Sequence, residues 1–70
     1  MRLSPQQYAC AALLREALTN AEIAQRVGVQ THTVREHLHR AMQHTGARNR
    51  VELALMVERG IVRPALREAA

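Results

Sequence analysis

Apolar residues recur along this chain at spacings of three and four in four separate blocks, the pattern of short amphipathic helices. Three of the blocks open on a side-chain capping pattern. Ser4-Pro5-Gln6-Gln7 starts the first helix: Ser4 caps, Pro5 takes the position where a missing amide costs nothing, and Gln7 closes a capping box. Leu3 and Tyr8 flank that start at the spacing of a hydrophobic staple, and Cys10, Leu13, Leu14 and Ala17 give a core stripe ending near Leu18. Thr19-Asn20-Ala21-Glu22 opens a second helix, expected from about Asn20 to Val27, with Ile23, Ala24 and Val27 as its apolar positions. Gly28 then stands where the chain must stop and reverse.

A third helix is expected over Thr31–Thr45 and has two unlike faces. At about 100° per residue, Val34, Leu38, Ala41, Met42 and Thr45 fall on one side. His32, Arg35, Glu36, His39, Arg40 and Gln43 fall on the other. Gly46 stops this helix, and Asn49-Arg50-Val51-Glu52 launches a fourth that ends near Arg59 and Gly60. The fourth helix is apolar on two sides: Leu53, Met56 and Val57 suit a core, while Val51, Ala54 and Leu55, flanked by Glu58, form a second face. A chain of 70 residues has little interior to cover such a face, so it reads as a dimer seam. The pattern gives an all-α, four-helix domain over residues 1–62, and residues 63–70 as a short tail that frays or adds one helical turn. Between Thr19 and His37, two short helices around a glycine-containing turn make a helix-turn-helix.

Charge adds a partner class. The net charge is +4, every basic residue is arginine, and lysine and aspartate are both absent. Such a balance favours nucleic acid or another anionic surface, and the planar guanidinium suits phosphate oxygens and guanine edges. Tyr8 is the sole aromatic, too little for a base-stacking platform on single strands. No apolar run approaches a bilayer span and no signal-peptide pattern opens the chain, so a cytoplasmic, nucleoid-associated protein without a membrane partner is expected. The arginines cluster on the motif and not along one long helix, against a membrane-surface module. Cys10, the single cysteine, allows no internal disulfide and reads as a buried small hydrophobe. No two of the four histidines are three or four residues apart, which argues against a metal site. One serine, used as a cap, and no glycine-rich phosphate loop argue against an enzyme; no cofactor is expected.

Placed on these helices, the residues resemble the LuxR-type (GerE-like) DNA-binding domain. The resemblance runs from Leu3 to about Val62 and rests on Leu3-Ser4-Pro5, Leu18-Thr19-Asn20, Glu22-Ile23-Ala24 and Val27-Gly28-Val29. Thr33-Val34-Arg35 with His37, Gly46-Ala47-Arg48-Asn49-Arg50 and Glu52-Leu53-Ala54 complete it. Five positions depart from the family pattern. Gln7 and Ala9 replace glutamates, Ala17 replaces a glycine, and Thr45 stands where a core leucine is common. Gln30 replaces a serine or threonine cap, so Thr31 is expected to cap one residue later. The family's sensory domain is not in this sequence, as in its small free-standing members.

The resemblance implies a transcription regulator that binds double-stranded DNA, with base reading by Arg35, Glu36 and His39. Arg35 suits the two acceptors of guanine, Glu36 a cytosine amino group, and His39 a single bond. Thr31, Thr33 and the free amides of the helix start suit a phosphate, Arg40, Arg48 and Arg50 further phosphates, and His32 and Gln43 flank the readers. Glu36 has a second reading as a surface partner of Arg40 at i,i+4, and His37, at the edge of the core face, reads as a packing and hydrogen-bonding residue. Val51, Ala54, Leu55 and Glu58 are the expected dimer interface, and a homodimer implies an inverted-repeat site. RNA polymerase and other LuxR-type regulators are the further protein partners the resemblance allows. The alternative function is an interaction protein that pairs with full-length regulators through the same seam and antagonises them.

Overall fold

The computed structural model describes residues 1–65. In chain order these form a short strand β1 (Arg2–Leu3), helix α1 (Pro5–Leu13), a 3-10 turn (Leu14–Glu16), then α2 (Asn20–Val27), α3 (Thr31–Thr45), α4 (Arg50–Glu58) and a short strand β2 (Arg63–Pro64). The four helices make an all-α domain.

The caps form as the sequence directs. Ser4 Oγ accepts from the Gln7 amide at 3.2 Å while Gln7 Oε1 accepts from the Ser4 amide at 3.3 Å. Thr19 and Glu22 repeat the arrangement at 3.2 and 2.9 Å, and Asn49 Oδ1 accepts from the Glu52 amide at 2.8 Å. Each cap satisfies an amide that the first helical turn leaves without a partner. Gly28 and Gly46 end α2 and α3 in the left-handed region, with φ of 80° and 79°.

The interior is a single cluster drawn from every helix. Leu3, Cys10, Ile23, Val34, Leu53 and Val62 are almost completely enclosed, with Ala11, Leu14, Ala24, Leu38, Ala41, Ala47 and Val57 completing it. Burial of each large aliphatic side chain stabilises by roughly 1.5–3 kcal/mol, enough to fix which side of α3 and α4 faces inward. Thr45, where a leucine was the familiar residue, is buried without strain: its hydroxyl donates to the Ala41 carbonyl at 2.8 Å and accepts from the Ala47 amide at 3.3 Å. Burial pushes the Cys10 thiol above its ordinary pKa, in keeping with an unreactive core residue.

Three expectations are corrected. The first helix does not carry its core stripe to Leu18. It tightens into the 3-10 turn at Leu14, and Ala17 is exposed with φ of 57°. The turn demands a left-handed residue there, which explains why glycine is the familiar choice at this position. Ala17→Gly is therefore expected to stabilise the fold by about 1 kcal/mol, the left-handed cost of an alanine less the extra entropy of glycine. A higher urea midpoint at unchanged slope is the check, and a lower midpoint would refute it. Second, Thr31 does not cap α3. Gln30 holds the cap position in extended backbone, its carbonyl accepts from the Thr33 and Val34 amides at 3.0 and 3.2 Å, and its side chain makes no capping bond. Third, Arg63 and Pro64 neither fray nor add a helical turn. They pair in parallel with Arg2 and Leu3, with the Arg63 amide donating to the Met1 carbonyl at 2.9 Å and the Ala65 amide to the Leu3 carbonyl at 2.7 Å. The rest of the expected tail, residues 66–70, lies outside the described residues.

Candidate nucleic-acid interface

The outer face of α3 is set by what its inner face must bury. Val34, Leu38, Ala41 and Thr45 point into the core, which leaves Thr31, His32, Arg35, Glu36, His39, Arg40 and Gln43 exposed and Thr33 half-buried. His32, Arg35, Glu36 and His39 line one shallow depression along this face. Arg35 forms no ion pair among the described residues. Arg40 and Glu36 do pair, at 3.2 Å, with side chains 65% and 62% exposed. Glu36 is thus a surface partner of Arg40 in the free chain, and such an exposed i,i+4 pair is worth only about 0.3–0.5 kcal/mol. His37 is half-buried beside this face and makes no side-chain hydrogen bond among the described residues.

Gln30 adds to the character of the helix start. No side chain caps the first turn of α3: the Thr33 amide, which a capping side chain would take, is met by the Gln30 carbonyl at 3.0 Å instead. The corresponding turns of α1, α2 and α4 are each closed by a side chain.

Arg48 and Arg50 stand beyond the other end of α3, roughly 20 Å from its first turn by helix rise. The Arg48 side chain is 84% exposed and, among the described residues, is held by its neighbour Glu52 alone: its amide donates to Oε1 at 2.8 Å and its guanidinium to Oε2 at 3.1 Å. The Arg48 amide, followed by its guanidinium, holds the Glu52 carboxyl below the usual range; the Thr19 amide does the same for Glu22. Arg50 is engaged differently, donating to Asn20 Oδ1 at 2.8 Å and to the Leu18 carbonyl at 3.1 Å.

The second face of α4 is exposed. Val51 and Leu55 are 67% and 45% accessible, Ala54 is half-buried, and with Leu14 and Leu18 they line an apolar groove between α4 and the connection from α1 to α2. Glu58 stands at one end of the groove and accepts from Arg15 Nη1 at 2.9 Å; Arg50 stands at the other. Arg15, Leu14 and Leu18 wall the groove although the periodicity of α4 does not point to them. Leu18 did carry a signal, since it precedes the Thr19 cap and Ile23 lies five residues on, the spacing of a hydrophobic staple. Nothing local to Arg15 points to Glu58. Among the described residues no group of three or more His, Cys, Asp or Glu side chains gathers to hold a metal, and no helix is long and apolar enough to cross a membrane.

Two helices closed by Gly28, the second with an arginine-bearing face held outward by a buried support, define a helix-turn-helix DNA-binding module. The sequence model for bacterial regulatory proteins of the luxR family matches residues 1–57, and the chain belongs to that family. It is a family of DNA-binding regulators and not a class of enzymes. No curated protein and no solved structure matches the chain.

Proposed function

We propose that this chain is a sequence-specific regulator of transcription that binds double-stranded DNA as a homodimer. α3 lies in the major groove, where Arg35, Glu36 and His39 meet base edges and His32 and Gln43 flank them. The open first turn with Thr31 and Thr33 takes one phosphate; Arg40 and Arg48 take others and supply affinity without sequence information. Two copies meet through Val51, Ala54, Leu55 and Glu58, so that their α3 helices address half-sites related by a twofold axis. The protein then acts on the nucleoid in the cytoplasm. The observation that carries this reading is the outer face of α3, where Arg35 stands exposed without an ion-pair partner among the described residues while the opposite face is locked in the core.

Selection of bound duplexes from a random pool tests it. Enrichment of an inverted repeat, with half-sites about one helical turn apart or a multiple of it, is the expected result. Recovery of an unenriched pool removes sequence-specific readout, and recovery of one unrepeated half-site removes the homodimer.

A further inference from the structure

The groove beside α4 is closed at both ends by an arginine that crosses between elements, and the two crossings differ. Arg15 makes one contact across the groove, to Glu58, with side chains 44% and 63% exposed, and its other bond, from Nε to the Ala12 carbonyl at 3.2 Å, stays within its own segment. Arg50 spans two acceptors 30 and 32 residues away, and both lie where α2 begins. The Leu18 carbonyl belongs to the connection between the left-handed Ala17 and the Thr19 cap, outside any helix. Asn20 is the first residue of α2. Only a planar fork with several N–H groups in fixed directions holds both acceptors together; a lysine ammonium is a point charge on a flexible stem.

We infer that Arg50 is a positioning residue, a clasp that fixes the first turn of α2 to the start of α4 and so sets the recognition helix relative to the dimer seam. Arg50 thereby leaves the group of expected phosphate contacts. A phosphate contact requires the guanidinium to abandon both acceptors, whereas Arg48 gives up only a neighbour on its own turn. Coupling follows from connectivity. α4 carries the seam, α2 packs on α3, and the segment from Ala17 to Asn20 lines the groove and launches the helix-turn-helix. The consequence for binding rests on the DNA-binding reading; the clasp itself does not.

Three variants test the assignment: Arg50→Ala, Arg50→Lys and Asn20→Ala, each titrated at two salt concentrations against a selected duplex and its scrambled counterpart. Each is expected to lose about tenfold on the selected duplex, the size of one charge-assisted hydrogen bond, with the salt slope unchanged. Arg50→Lys is expected to rescue nothing, although it keeps the charge. A wild-type response in Arg50→Lys and Asn20→Ala, with a slope reduced by about 0.9 in Arg50→Ala, is the signature of a phosphate contact and overturns the inference. Hydrogen exchange of the free chain gives a readout without DNA, so a failure of DNA binding is told apart from a failure of the clasp. The Ile23 amide, bonded to the Thr19 carbonyl at 2.9 Å in the first turn of α2, is expected to exchange about tenfold faster in Arg50→Ala and Asn20→Ala. Unchanged exchange in both overturns the clasp.

Discussion

Replacing Arg35 by alanine is expected to weaken binding to a selected duplex by roughly 10- to 100-fold while leaving a scrambled duplex nearly unaffected. A bidentate contact to a base is worth about 1–3 kcal/mol of discrimination, and little of that reappears on DNA lacking the base. The structure favours a loss near the upper end. Arg35 is exposed and forms no ion pair among the described residues, so little interaction with them is given up when it binds. Arg48→Ala is expected to behave in the opposite way, weakening both duplexes alike and lowering the salt slope by about 0.9, as befits one phosphate neutralised. Its loss is also the smaller, because binding DNA costs Arg48 its contacts with Glu52. Fluorescence titrations of both variants at two salt concentrations separate these outcomes. Equal losses on both duplexes in Arg35→Ala would remove base reading from this residue and leave α3 as an electrostatic contact only.

Three helix starts and the helix faces, which depend on residues three or four apart, are legible in the sequence. Ser4 with Gln7, Thr19 with Glu22, and Asn49 with Glu52 are local bonds, and they placed the starts of α1, α2 and α4. The faces of α3 follow from helical periodicity, as does the exposure of Val51 and Leu55 while Leu53 and Val57 are buried. The misses are of two kinds. Backbone choices at Ala17 and Gln30 are set by the geometry of the connection, which made an alanine left-handed and let a glutamine hold a cap position without capping. The remaining misses are contacts between distant parts of the chain. Arg2 reaches the Pro64 carbonyl across 62 residues, Arg15 reaches Glu58 across 43, and Arg50 reaches Asn20 across 30. No local pattern announces such pairs. A charge on the surface reads as a phosphate contact from sequence alone, and the two acceptors of Arg50 are visible only in the structure.

The second large effect is expected at the seam. Leu55→Glu should abolish the paired complex on an inverted-repeat duplex, leaving one protein bound per half-site. Leu55 lies in the middle of the exposed face of α4, one turn from both Val51 and Glu58. In a twofold arrangement through this face, residues near the axis meet their own copies, so the variant sets two carboxylates against each other beside Glu58 of each chain. Like charges across an interface cost several kcal/mol, enough to weaken association by at least about 100-fold. The fold itself should survive, because Leu55 is 45% accessible and is not part of the buried cluster. An unchanged helical signal and a melting temperature within a few degrees confirm that control. The measurement is made on DNA because α4 has only nine residues, about 13 Å of helix, and a seam of that length buries area at the low end of the range for stable dimers. Sedimentation of the protein with an inverted-repeat duplex should give two chains per duplex cooperatively for the natural sequence, and independent weak binding to each half-site for the variant. Two variant chains bound as cooperatively as before would place the interface elsewhere, and the apolar groove beside α4 would then belong to another partner.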